Sequence, residues 1–539
     1  MNKCSLFVVV LAMLSMTGVA HGTNSWYMSP SGSDSNACTQ SAPCATFQHV
    51  FPKMSGGDTL YLANGTYTGS GNVISQSNLP PSGTSGQHTT ITATNIPCQN
   101  GVACNQPLLA EIDGGSALSM QVDENNTLSS SYVTIKGIYF HGSIFLNGVS
   151  HWYIKQCAVE GNQDGNNHTI TSDGNPYMVF EDVVAFGKGR YKFNFYGQEG
   201  GVGVPTYSVC RRCVARHDYF GGDASDPMAT FSDYHSYNNA FLNCIDVDSN
   251  QPAYWSTNEL DGSFQQAVDN SSNQAIEWKG CISINAAMPV AYTEHNGAGG
   301  VTYTDLVGVN TYAGIAGGAW SGTRVNIINA NSNNFSGVPS PVISGTGFKV
   351  QGGGPSQTLN YSLVRGTNNG TITYSGGSLT GDYFNYYPSS QSSAFTPAHT
   401  YTTDPGSNGL LYPIRTESGS NLAAEGIGAQ ILYTLGPDGC EYGQTCNGVA
   451  YDASTGTSIW PWPLEAWVKA QLAAMDTAIG GTSMPSPTRG FCASQNGLYG
   501  GPVTLTSYVW EALGNALPSS IYSGSGTLTA PSGLHIVSP

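Results

Sequence analysis

The sequence predicts an all-β solenoid, a stack of short strands repeated along most of its length. Three observations carry this. First, segments align on an apolar column that runs Ile138, Cys157, Val183, Cys213, Cys244, Cys281, Leu306. A second column lies three residues earlier, at Ile135, Ile154, Phe180, Cys210, Phe241, Trp278 and Tyr303, with polar residues between the two. Second, the intervals along the first column are 19, 26, 30, 31, 37 and 25 residues. A constant strand unit with loops of varying length stacks into a continuous core that no single unit can bury alone. Third, charged residues are only 9% of the chain while 40% is hydrophobic and 11% aromatic. So little Lys and Glu disfavours helices, and that much apolar surface argues against disorder.

The elements follow in order. Residues 1–22, MNKCSLFVVVLAMLSMTGVAHG, read as a secretory signal: Lys3, a short apolar core, and a small-residue site at Ala20–Gly22. The apolar run is too short for a spanning helix, so an exported chain without membrane attachment is expected. A first strand comes next, then a capping helix near Ala42–Met54, then GGDTLYLANGTY as the first rung. Rungs fill residues 23–390. A shorter strand precedes each aligned segment, as in HTITSDG (168–174), YKFNFYG (191–197) and ATFSDY (229–234). Residues 391–520 break the pattern. An amphipathic helix near Leu464–Met475 and a second helix within 505–515 predict a partly helical appendage closing the solenoid's open end. Residues 521–539 read as a flexible tail.

Cysteine spacing fits an oxidising compartment. Cys38/Cys44, Cys98/Cys104 and Cys440/Cys446 share one short spacing and are expected as local disulfides. Cys157, Cys213, Cys244 and Cys281 are expected as an inward ladder of buried thiols.

The rungs and the entry stretch SWYMSPSGSDSNACTQSAPCATFQHVFPKMSGGDTLYLANGTYTG resemble the right-handed parallel β-helix of the pectate-lyase-like superfamily. The resemblance spans roughly residues 25–390 and implies that fold. It is less specific for activity, because the architecture carries lyases, hydrolases, esterases, epimerases and adhesins.

The net charge is −17, with 17 Lys and Arg in 539 residues. Such acidity argues against nucleic acid as a partner. Yet Lys188, Arg190, Lys192, Arg211, Arg212 and Arg216 fall within one short stretch. In GKGRYKFNFYG the alternation predicts Phe193 and Phe195 inward and Arg190, Lys192 and Asn194 outward. The neighbouring strands are expected to align acids in a column through Asn147, Asp173, Tyr196, Asp233, Asp269 and Glu294.

Cations flanked by acids and tyrosines predict a cleft for an acidic polysaccharide, on a chain expected to act as a monomer. In β-helix lyases a uronate chain is cleaved by β-elimination. That resemblance implies a cation beside the substrate carboxylate, a Lys or Arg base, and an acid for the leaving oxygen. Lys188 or Lys192 is expected as base, with Arg190 among the neighbouring cations. Arg212 or Arg216 would bind the carboxylate, and His217, His235 or Tyr234 would assist departure. Arg211, Asn194, Tyr191, Tyr196 and Tyr234 are expected to contact the sugar. Asp173, Asp182, Asp218 and Asp233 are candidate ligands for Ca²⁺, the candidate cofactor. Two alternatives stand beside the lyase. One is a glycosidase using a pair of Asp173, Asp233 and Asp269. The other is a non-catalytic, glycan-binding β-helix.

Overall fold

The structure is a computed structural model that describes residues 23–459 and 471–472, apart from 96–109, 125–126, 164–166, 198–203, 219–227, 250–259, 268–274, 294–299, 336–344, 352–356, 391–394, 406–420 and 432. The signal segment, Cys98 and Cys104, Asp269, Glu294, nearly all of the expected C-terminal helices and the tail lie outside the described residues.

Parallel pairing from rung to rung defines the fold. One 13-stranded sheet starts at Ser25–Met28 and ends at Leu379–Thr380, each strand hydrogen-bonded to the equivalent strand of the next rung. The remaining solenoid strands pair in parallel on the other side. The chain is therefore a parallel β-helix. The second apolar column appears in the register without a slip: Ile135 opposes Ile154, then Phe180, Cys210, Phe241, Trp278 and Tyr303. Every member is buried. Across the solenoid a matching inward column runs Ile144, Ile170, Phe193, Phe231, Phe264, Ala291 and Ile315.

These two columns face each other and make the core. Phe241 stacks on Trp278 with ring centroids 3.9 Å apart, and Phe193 stacks on Phe231 at 5.0 Å. Truncating one such ring, as in Phe193→Ala, removes about 3–5 kcal/mol. The five free thiols Cys157, Cys210, Cys213, Cys244 and Cys281 are buried in the same core, as expected for inward packing. Cys38–Cys44 and Cys440–Cys446 are disulfides.

Between the first sheet and the strands that follow, the chain turns a sharp corner. One residue per rung takes a left-handed conformation there: Gln156, Asp182, Arg212, Asn243 and Asp305 have φ of 49°, 55°, 52°, 53° and 53°. Their side chains leave the solenoid at one edge, one strand spacing apart, about 4.8 Å. Charges placed at this corner on successive rungs must therefore meet.

Near the N-terminus a short helix, Phe47–Val50, is capped by the Thr46 hydroxyl, which accepts from the His49 amide. A 3₁₀ turn at Phe51–Lys53 follows, with proline in its first turn, where no amide donor is needed. Phe47 and Phe51 pack on one another at 5.0 Å and Phe47 packs on Tyr67 at 6.3 Å.

Apart from residues 471–472, the described part of the C-terminal appendage precedes the expected helices. It is mostly extended chain and two small antiparallel strand pairs, Tyr433–Leu435 with Ser454–Ser458 and Thr445–Cys446 with Val449–Ala450. Thr400–Tyr401 adds in parallel to Phe384–Tyr387 of the last rung, and the chain from Gly426 runs back along the left-handed corner as a strap. Gly428 donates to the Tyr361 carbonyl, Gln430 to Asp305, Leu435 to Asn243 and Gly439 to Glu181. Leu435, Tyr442 and Tyr451 pack on Val209, Ala240 and Leu242 of the first sheet. The physical reason is the flank itself: an apolar strip beside charges that need partners. Among the described residues no helix is long and apolar enough to cross a membrane.

Candidate functional site

The basic stretch is divided between two sides of the solenoid. Arg211 ends a strand of the first sheet and Arg212 is the corner residue after it. Glu181 and Asp182 hold the same two positions one rung earlier. Arg211 Nη1 donates to Glu181 at 2.8 Å. Its other nitrogens donate to the strap carbonyls of Leu435, Cys440 and Tyr451 at 2.9, 3.0 and 3.1 Å. Arg212 makes a two-pronged bond to Asp182, at 2.6 and 2.9 Å, and reaches Asp438 at 3.0 Å. Burial alone would raise the Glu181 carboxyl. Lys155, Arg212 and Arg211 outweigh it and hold that group well below the ordinary carboxylate range. Arg211, Arg212 and Asp182 therefore join core to strap, on the side away from the cleft described next. Lys192, Arg212 and Asp233, expected in one groove, do not share one.

The other side carries a cleft of about 520 Å³. It lies across the strands Ala110–Asp123, Ile138–Asn147, Ile170–Asp173, Tyr191–Tyr196 and Met228–Tyr234, along the solenoid axis. Their registers align one outward column as Asp123, Asn147, Asp173, Tyr196 and Tyr234. The expected acid column thus slips by one residue at its fourth member. Asp233 opposes the core residue Phe195, while Tyr234 takes the outward place. Asp233 is buried, accepting from Ser236 Oγ at 2.7 Å and Asn239 Nδ2 at 2.8 Å. Burial, opposed by those two bonds, pushes its carboxyl up to about 7.

Within the cleft, Arg190 lies over the Tyr191 ring, 4.5 Å from its centroid. Beside them is His168, which the sequence reading passed over as part of a strand. Its ring is 4.8 Å from that of Tyr191. Nδ1 lies 3.0 Å from Thr171 Oγ1 and 3.1 Å from Asn194 Nδ2. Nε2 is shielded from solvent and has no hydrogen-bond partner among the described residues. Burial first, then the charges of Arg190 and Lys192, pushes this imidazole down to about 3. The ring is neutral across the ordinary pH range. With the Asn194 amide turned so that its buried, otherwise unpartnered Oδ1 accepts from Nδ1–H, the ring presents a lone pair at Nε2. Register could have found it: Ile170 opposes Phe193, so His168 and Tyr191 occupy equivalent positions on adjacent rungs.

Other expected site residues support this cleft from behind. Phe193 and Phe195 point into the core as predicted. Lys192 and Asn194 point the other way, yet both are buried. Lys192 Nζ donates to the carbonyls of Gly187 and Gly189, at 2.6 and 3.0 Å. It ties down the turn that presents Arg190. That turn needs glycine, with φ of 85° at Gly187 and 113° at Gly189. A Cβ on Gly187 would meet the Gly161 carbonyl oxygen at 2.5 Å. His217 Nε2 donates to the Arg190 carbonyl at 3.0 Å. Asp218 accepts from the Gly187 amide and pairs with Arg216 at 2.9 Å. Arg216 also donates to the Leu472 carbonyl. Lys188 is half-buried, its amide bonded to Gly161, and does not line the cleft. Tyr196 and Tyr234 stack at 5.5 Å, with His235 edge-on to Tyr234 at 4.2 Å.

The four candidate Ca²⁺ ligands do not gather. Asp182 and Asp218 are bound to arginines, Asp233 faces inward, and Asp173 alone lines the cleft. Asn147 turns its Nδ2, not its carbonyl oxygen, to Asp173 at 3.2 Å. That donor set does not fit a resident Ca²⁺ held by these four carboxylates.

No protein-family model matches the chain, and no curated protein does. Among solved structures it is similar to the pectate lyase Pel9A, at 14% identity over 81% of this chain and 98% of that one, with a TM-score of 0.36. It is also similar to an alginate lyase from Paenibacillus sp. str. FPU-7, at 14% identity over 70% and 98% of the two chains, TM-score 0.31. A GH136 lacto-N-biosidase from Eubacterium ramulus aligns at 10% identity over 66% and 68%, TM-score 0.30. The likeness is one of fold.

Proposed function

We propose that this chain is a secreted polysaccharide-active protein that binds a uronate-containing chain in the cleft and cleaves it by β-elimination. The observation that carries the reading is Arg190 laid over Tyr191 beside His168, a neutral imidazole with an unpartnered nitrogen. Elimination needs a cation to draw charge into the substrate carboxylate as the adjacent C–H loses its proton. Arg190 supplies it with a planar donor edge suited to a carboxylate. His168 Nε2, shielded while the cleft is empty, takes the proton once the ring turns toward the bound sugar. Its lowered pKa keeps it in the basic form at neutral pH, at some cost in proton affinity. The leaving glycosidic oxygen takes a proton from Tyr191 or Tyr196, or from water. Lys192, His217 and Asp218 act by fixing the turn. This moves the base from Lys188 or Lys192, as the sequence suggested, to His168.

The test is incubation of the mature chain with pectate, alginate and glycosaminoglycans, with Ca²⁺ and with a chelator. Ultraviolet absorbance from new unsaturated ends is expected, and it should vanish in His168→Ala. New reducing ends without absorbance would assign hydrolysis instead, with Asp123 and Asp173 as the carboxyl pair. Binding with neither product would make the cleft a glycan-binding site only.

A further inference from the structure

We propose that the solenoid core holds a site for a soft monovalent metal ion, Cu⁺, bound by the sulfurs of Cys210, Cys213 and Cys244. The three are free thiols, fully shielded from solvent. Their Sγ atoms all lie within 4.8 Å of one another. Three sulfurs in a plane around an ion about 2.3 Å from each stand about 4 Å apart, so a small closure of the cluster makes a trigonal set.

The register explains why the sulfurs converge. Cys210 lies on the first sheet, and Cys213 follows the left-handed corner at Arg212. Residues 210–213 are thus a Cys-x-x-Cys pair whose bend is built into the fold. Val214 opposes Ile245, which sets Cys244 beside Cys213 on the next rung. The ligands then select the ion. Thiolates favour soft metals. A structural Zn²⁺ takes four ligands, and among the described residues no fourth His, Cys or carboxylate belongs to the cluster. Cys210 stands between the buried rings of Phe180 and Phe241, so the surroundings are apolar and offer no water for a fourth place. Cu⁺ is satisfied by two or three sulfurs. Burial raises the Cys213 thiol, yet hydrogen bonds from Cys210 and Cys244 and the Val183 backbone outweigh it and hold that group below the ordinary thiol value. Cu⁺ replaces thiol protons, which leave to solvent. Because the site is closed, the ion enters as the rungs assemble. The local pair binds first, and Cys244 closes the site when the next rung packs. The bound ion would pin the corner from inside, beneath the arginines that hold the strap.

The experiment uses the full chain, exported with copper or with zinc salts in the growth medium. It is purified without reductant, so that Cys38–Cys44 and Cys440–Cys446 stay bonded, and passed over a chelating resin. Metal per chain is counted by elemental analysis, and X-ray absorption reads oxidation state and neighbours. About one copper per chain is expected, monovalent, with sulfur as its only neighbour. Cys210→Ala, Cys213→Ala and Cys244→Ala should each lower retention about tenfold or more. With three variants, one that fails to fold leaves two. Cys157→Ala, which removes a core thiol outside the cluster, should keep the copper. A folded chain that retains no copper, equal retention in the three variants, zinc in place of copper, or a Cys210–Cys213 disulfide found by peptide mass spectrometry would each overturn the inference.

Discussion

Arg211 and Arg190 lie close together in sequence and do opposite things in the fold. Arg211 is fully buried, with one carboxylate and three carbonyls around its guanidinium. It ends its strand just before the corner, where Glu181 occupies the same position one rung earlier. Arg190 sits on a glycine turn on the other side, half-buried over a tyrosine in an open cleft. Each corner charge meets its complement because the solenoid returns the chain to the same place at every rung. The turn charge lies over the Tyr191 ring at the wall of the cleft, beside the His168 imidazole. A cluster of cations in sequence is therefore no measure of a cationic surface. Register decides which of them line the cleft and which are built into the corner.

The sharpest way to break this contrast is to remove one arginine from each side. Arg211→Ala leaves Glu181 buried with a partner lost and strips three strap carbonyls. It should cost about 3–5 kcal/mol in denaturant unfolding, with sugar binding retained by the protein that stays folded. A cost below 1 kcal/mol would sink the structural assignment. Arg190→Ala should cost well under half as much in unfolding, about 1 kcal/mol for the lost contact with Tyr191, while abolishing most turnover. Next in size is His168→Ala, expected to lower kcat by roughly 10²–10⁴-fold with the fold intact by circular dichroism.

The two sides should also separate on titration. Protonation of His168 removes the base, so kcat/KM should hold its value from pH 8 down past 5 and fall only as pH approaches about 3. An acid limb centred near the ordinary histidine value of 6.5 would remove His168 from the role. Glu181 has a folded pKa below its unfolded value. The stability it contributes is complete above the ordinary value of 4.5 and is lost as pH falls below it. Acid unfolding should then release the strap, and Arg211→Ala should flatten this part of the stability–pH curve. The smallest effect is expected from the tyrosine pair. Tyr196→Ala or Tyr234→Ala should weaken sugar binding by about 0.5–1.5 kcal/mol, read by calorimetry, with kcat changed less than affinity. Unchanged affinity in both variants would take the stacked pair out of the binding path.

The rung alignment held residue by residue in the first sheet because buried apolar positions repeat there without insertions. Ile154, Phe180, Cys210 and Phe241 were legible for that reason. The same alignment, read one and two residues further, already set Glu181 against Arg211 and Asp182 against Arg212. The ion pairs were in the sequence, though the strap that completes them was not. On the cleft side loops of unequal length interrupt the repeat, and a one-residue slip reverses a side chain's direction. Asp233 was misplaced in that way, and Tyr234 took its column. His168 carried no signal of its own. Its position appears only when the inward column through Ile170 and Phe193 is followed two residues back.

The sequence by itself determined the solenoid, the inward apolar and thiol columns, the pairing of Cys38 with Cys44 and Cys440 with Cys446, and the alternation that aims Phe193 and Phe195 into the core. These depend on spacing along the chain, which local chemistry records. The tertiary structure decided which cations are spent on the strap, which carboxylates lie at the surface, and that Arg190, Tyr191 and His168 meet. Those depend on contacts across rungs, where a loop's length and a left-handed corner set what stands opposite what.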